Sequence, residues 1–417
     1  MRSFLLAAAV VAILTLVVMP VRAEDSQSAH EKLFPLGLWY EGGVGDARDN
    51  VLPADPSAAA PVYEKNFADI AAHGVNVITV PNSPPPHHKL LLDTAHKHGL
   101  NVILELDLDG GELGHMIRGS IPLDEKLARE TLQKKLGPIK DHPALWRVQL
   151  IDEPTDFEKF GKLAAVTRQF DPDSRPFCCL IGDIDGAAFL QHSKSDVLAF
   201  DVYPYGVTNK RGDPRPLNHF AQYALRFADW ADAAEPPADA AVDAWAVIQC
   251  HAITGGLRFP SEAEVRAMTY TALAAGHRGV FWFLYQTERL SKDQVMSGLV
   301  DRDFKPRPLW NFLPSLIAEL EPLTPTLANL RPDRFAKFQV TDGIAHALRD
   351  RADNTLYLFV LNPDTLKPRT AHVLMPLRNG EITALPEEEK VDVPGLAGTI
   401  AWDVSLPPGG GKLFRVR

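Results

Sequence analysis

The chain is poor in the residues that would mark several common classes of protein. It has three cysteines in 417 residues and no CxxC pair, which excludes a disulfide scaffold and a cysteine zinc site. Cys178 and Cys179 are neighbours in an apolar run and Cys250 lies in another, so all three are expected as buried free thiols. No run of lysine and arginine occurs and the formal net charge is −10, which argues against a nucleic-acid partner. Beyond the N-terminus no stretch is apolar enough to span a bilayer. There is no internal repeat, and 46% of the residues are hydrophobic, enough for a large core.

What is present begins with a leader. Arg2 supplies a positive start, Phe4 to Met19 is apolar, and Val21 and Ala23 stand at −3 and −1 of a cleavage site. The expectation is a signal peptide over 1–23, a mature chain from near Glu24, and a secreted or periplasmic protein without stable membrane insertion.

From Pro35 to Phe283 strand-like apolar runs alternate with helical patterns. Eight strands are expected: Pro35–Tyr40, Val75–Pro81, Asn101–Leu106, Leu145–Ile151, Pro176–Ile181, Val197–Val202, Ala244–Gln249 and Gly279–Leu284. Helical spacing fits Val62–His73, His88–His98, Glu125–Lys140, Phe157–Phe170, Phe220–Ala233 and Glu262–Ala275, and Leu309–Leu320 reads as a closing helix. Eight such units predict an α/β fold, a (β/α)8 TIM barrel over 24–325. From 333 to 417 short alternating strands and turn signals such as Asp342-Gly343 predict a small all-β sandwich that supports the barrel.

Catalytic groups of such barrels gather at the carboxyl ends of the strands. The first strand ends in Trp39, Tyr40 and Glu41, the second in Asn82, and the third in Glu105, Asp107 and Asp109. The fourth offers Asp152 and Glu153 ahead of Pro154. The sixth ends in Asp201 and Tyr203, the seventh in Gln249 and His251, and the eighth in Trp282 and Tyr285. Asp152 and Glu153 also fit a plain helix start, where acids are common.

Rings that stack on a pyranose, amides that bond its hydroxyls and paired carboxyls for acid–base work point to a carbohydrate. Glu153 is the candidate general acid, with Asp201 or Glu41 opposite and Glu288 in reserve. Trp39, Tyr40, Asn82, Asp107, Asp152, Tyr203, Gln249, Trp282 and Tyr285 are the candidate substrate-binding residues. No cofactor is called for. Asp107, Glu153 and Asp201 on separate strands suit a divalent cation, but no lysine base closes a neighbouring strand. His87, His88, His96 and His98 read as solvated helix histidines rather than metal ligands.

These motifs resemble the clan of TIM-barrel glycosidases that includes the β-galactosidases and cellulases, over Pro35 to about Leu320. The resemblance implies that Glu153, preceded here by Asp152 where the clan usually has asparagine, is the acid/base. It matches Trp282 to the aromatic residue closing strand eight, and residues 201–204 to related strand-six ends. The chain departs at strand seven, where Gln249 stands in place of the clan's nucleophilic glutamate. Recruitment of another carboxylate, a shifted strand, or a carbohydrate-binding protein that no longer cleaves would each account for it.

Overall fold

The computed structural model describes residues 33–44, 52–234, 241–377, 380–393, 395–396 and 398–417. The leader over 1–23 lies outside them. Eight parallel strands form the barrel: β1 Leu36–Trp39, β2 Val77–Val80, β3 Asn101–Glu105, β4 Leu145–Gln149, β5 Pro176–Phe177 with Cys179–Ile181, β6 Val197–Asp201, β7 Asp243–Gln249 and β8 Val280–Phe283. The fifth strand is broken at Cys178. Its first piece pairs with β4 and its second with β6, and β1 pairs with β8 as well as β2, so the sheet closes on itself.

Alternation sorts the side chains, except beside the register shift between β3 and β4, where Trp146 and Arg147 both lie against Trp245. Leu36, Leu38, Val80, Leu104, Val148, Leu198, Ile248 and Trp282 join the layer beneath the helices. The residues between them fill the lumen, where Trp245 packs against Trp146, Phe177 and Phe281. Gly37 makes room for Phe281, whose ring would lie 2.1 Å from an added Cβ.

The outer helices are α1 Pro56–Ala72, α2 Pro85–Lys97, α3 Gly111–Arg118, α4 Glu125–Lys135, α5 Phe157–Phe170, α6 Gly186–Ser193, α7 Pro214–Ala233, α8 Glu262–Ala275 and α9 Pro308–Leu320. Asp55, Asp124, Asp156, Asp185 and Asp213 each cap one by accepting a backbone N–H. Ser261 and Glu264 form a capping box on α8. Each cap is worth about 1 kcal/mol, so part of the chain's acidity serves helix starts. The helix-start reading of Asp152 fails here, because α5 takes Asp156 as its cap.

The C-terminal strands form a six-stranded and a four-stranded antiparallel sheet. They enclose a second core around Val360, Val373, Trp402 and Phe414. The other face of the larger sheet joins the barrel's core through Phe359 and Leu413, and Tyr270 of α8 meets Phe359 edge-on at 5.9 Å. Packing against the barrel is the role its contacts describe.

Two expectations are corrected. His87 and His88 are buried, not solvated: His87 contacts the Tyr63 hydroxyl at 3.1 Å and the Ala54 carbonyl at 3.0 Å, and His88 the Ser83 carbonyl at 2.9 Å. Helices α3 and α6 lacked a readable pattern because each is eight residues long and starts at glycine. The three cysteines are free and buried. Among the described residues no helix is long and apolar enough to cross a membrane.

Candidate active site

The carboxyl ends of the strands converge on a mouth rich in acids. Glu41 follows β1 by two residues and so faces inward, 9% exposed. Asn82, in the left-handed region at φ 59°, links three loops. Its amide nitrogen donates to Glu41 Oε2 at 3.1 Å and its backbone N–H to Glu105 Oε2 at 2.7 Å. Its Oδ1 accepts the Asp109 N–H at 3.3 Å.

Burial pushes the Glu105 carboxyl up to about 8, with Asp152 and Asp109 adding repulsion against the backbone bond from Asn82 and the charge of Arg118. Burial also lifts Glu41 well above the usual range, reinforced first by Glu288.

The chain leaves β4 at Gln149 and turns through Asp152 and Glu153 before Pro154. Glu153 adopts φ 47° and its N–H donates to the Cys179 carbonyl at 3.1 Å, tying the turn to β5. A left-handed glutamate costs about 1–3 kcal/mol, which the surrounding structure must offset. Burial raises Asp152 to about 7, with Glu153 next in effect, and its Oδ1 has no protein partner.

Glu153 and Asp201 are close enough to act on each other, and the Tyr203 hydroxyl is a further polar neighbour of Asp201. Burial raises both carboxyls, Asp201 far more. Two neighbouring carboxyls resist ionising together, which favours keeping a proton on the pair.

Aromatic walls stand beside this pair. Tyr203 stacks on Phe283 at 5.3 Å and meets His251 edge-on at 4.5 Å, while Trp39 lies below Phe283 at 5.8 Å. His251 Nδ1 contacts the Phe283 carbonyl at 3.2 Å, its Nε2 has no partner, and burial lowers it to about 4, so it is neutral. Short strands Ala252–Ile253, Glu288–Arg289 and Val295–Ser297 join the loops after β7 and β8 and carry Glu288.

Of the expected residues, Glu41, Asn82, Asp152, Glu153, Asp201 and Tyr203 thus meet at the mouth, with Trp39 at its floor. Five do not. Tyr40 and Tyr285 stack on each other at 5.7 Å in the outer core, bonded to Asn66 and Asp69 respectively. Trp282 also faces the helices, fully buried, because strand parity points Phe281 and Phe283 inward. Asp107 is bound to Lys135. Gln249 does end β7, opposite Phe283, but its amide is used up: Oε1 accepts the Tyr205 N–H at 2.9 Å and Nε2 reaches the Arg258 carbonyl at 3.1 Å.

Sequence reasoning placed Glu105 at a strand end without giving it a role, and it assigned none to Arg118, Gln149 or Phe283. Strand parity on Ile103 and Glu105 was the available signal for the first; nothing in the sequence pattern marks Arg118, which comes from α3. Among the described residues no group of three or more His, Cys, Asp or Glu is arranged to hold a metal ion.

No known family profile matches the chain, and no curated protein matches it. Solved structures do. A glycoside hydrolase family 5 protein from Bacteroides vulgatus superposes with TM-score 0.59 at 15% identity, over 92% of this chain and 89% of that one. A family 2 β-galacturonidase from Eisenbergiella tayi, solved with galacturonate, gives 0.51 at 16% identity, over 69% and 51%. The β-glucuronidase of Ruminococcus gnavus gives 0.51 at 12%, over 69% and 50%. The chain therefore shares the barrel fold of glycoside hydrolases, and it spans about half the length of the last two.

Proposed function

We propose that this protein hydrolyses O-glycosidic bonds of an oligo- or polysaccharide. The neighbouring carboxyls Glu153 and Asp201, at the ends of two barrel strands and beside the stacked Tyr203 and Phe283 rings, carry the reading. Glu153 gives its proton to the departing sugar oxygen, and Asp201 holds that proton in place until transfer. Glu41, held by the Asn82 amide at the end of another strand with Glu288 acting on it, is our candidate for the second carboxylate, as nucleophile or as base for water. Gln249 needs no catalytic role in this scheme. Structural neighbours that are glycoside hydrolases support it. The leader-like segment supports export, which sequencing the mature N-terminus tests.

Aryl glycosides and polysaccharides incubated with wild type, Glu153→Gln and Glu41→Gln test the assignment. Hydrolysis by the wild type and loss in both variants is the expected result. Sugar binding without cleavage by the wild type favours the second reading, a carbohydrate-binding barrel, for which the replacement by Gln249 argues.

A further inference from the structure

The mouth also bears on which sugar it takes, an inference that rests on the hydrolase reading. The carboxyls of Glu41, Glu105, Asp152, Glu153, Asp201 and Glu288 act on one another there. Arg118, exposed on α3, is the cation that acts on Glu105, Asp152 and Glu153. Of the basic groups on the adjoining loops and helices, Lys135 is engaged with Asp107 and Glu112, and Arg258 with Glu264.

A second observation is independent of the charges. Gln149 ends β4 opposite Glu105 and is wholly buried, yet neither its Oε1 nor its Nε2 has a protein partner. Val148 and Leu150 on either side belong to the outer core, so this amide faces the lumen beneath the mouth. A buried amide without partners is costly, and a site that keeps one has a use for it.

We infer that the mouth accepts a glycoside bearing a protonated amine, an amino sugar, and discriminates against uronic acids. An ammonium group donates hydrogen bonds and accepts none, which suits Asp152 Oδ1 and Gln149 Oε1, two oxygens without a protein partner, and its charge would favour ionisation of the neighbouring Glu105 carboxyl. Its charge is attracted by the carboxyls, whereas a sugar carboxylate would add a further like charge among them.

The wild-type protein titrated by calorimetry with trimers of glucosamine, N-acetylglucosamine and galacturonic acid tests this. Glucosamine trimer is expected to bind at least about tenfold more tightly than the others. That margin should shrink as salt is raised, because the contribution is electrostatic. Gln149→Met, close in volume, should weaken glucosamine binding several-fold while the melting temperature holds. Equal or tighter binding of the acetylated or uronic trimer overturns the inference, as does displacement of the glucosamine trimer by calcium ions alone. A preference untouched by Gln149→Met overturns it as well. Glucosamine trimer bound tightly but never cleaved leaves the inference standing and overturns the hydrolase reading; cleavage of all three trimers alike does the reverse.

Discussion

Asp196 and Asp201 stand at opposite ends of β6 and live in opposite chemistry. At the bottom of the barrel Asp196 takes two 2.8 Å bonds from Arg147, whose guanidinium lies 5.1 Å from the centres of both the Trp146 and Trp245 rings. Burial alone would raise Asp196, but Arg147 outweighs it and the carboxyl sits below its usual range. At the mouth Asp201 is ringed by protein with Glu153 and Asp152 beside it, and it is held far above that range. One end of the strand neutralises its charge for stability and the other keeps a proton available. The division matches the general separation of stability and activity between the two faces of such barrels.

The largest effect expected from breaking this contrast is at the mouth. Glu153→Gln should lower kcat by about 10²–10⁴-fold with the fold intact by circular dichroism. A rate within a factor of about three of wild type would remove Glu153 as the acid.

At the bottom, Arg147→Ala should cost about 1–3 kcal/mol in denaturant unfolding, since it leaves a half-buried carboxylate without its two donors. Asp196 is depressed in the folded state, so its contribution is present above the unfolded carboxyl range and is lost as pH falls through the folded value. The Arg147→Ala penalty should therefore be full at neutral pH and fade in acid. A penalty that ignores pH would break the contrast.

Glu105 has the opposite sign. Its folded value near 8 exceeds the unfolded one, so the native state loses stability as pH rises from about 4 to about 8. Glu105→Gln should raise the melting temperature more at pH 8 than at pH 5 in a thermal scan. Equal gains at both would mean the carboxyl is not protonated in the fold.

Comparable or smaller effects belong to the outer core. Tyr40→Phe strips the Asn66 amide of its 3.1 Å acceptor and should cost about 1–3 kcal/mol with hydrolysis unchanged. Tyr285→Phe leaves Asp69 the Trp310 donor at 2.9 Å and should cost about 1 kcal/mol. A specific loss of activity in either variant would return that ring to the site.

Much of the fold was legible because periodicity is a local property. Phe157–Phe170 and Glu262–Ala275 match their expected bounds, and all eight barrel strands lie where apolar runs placed them. The site was legible only in part. Parity separates Trp282 from Phe283 and Tyr40 from Glu41, and a one-residue choice sends a side chain to the helices instead of the cleft. Asp107 misled for a related reason. The strand stops at Glu105, the chain turns, and Lys135, 28 residues later, takes the acid.

By itself, then, the sequence determined the alternation of strands and helices, the acid-rich strand ends and the glutamine that closes strand seven, because each is written in neighbouring residues. Tertiary structure alone decided that Glu153 meets Asp201, that Asp196 meets Arg147 and that Gln249 is consumed by loop backbone groups. Those partners are tens of residues apart in the chain, except within the strand-seven loop, and only barrel closure brings them into contact. Whether a buried carboxyl holds or sheds its proton depends on which partner arrives.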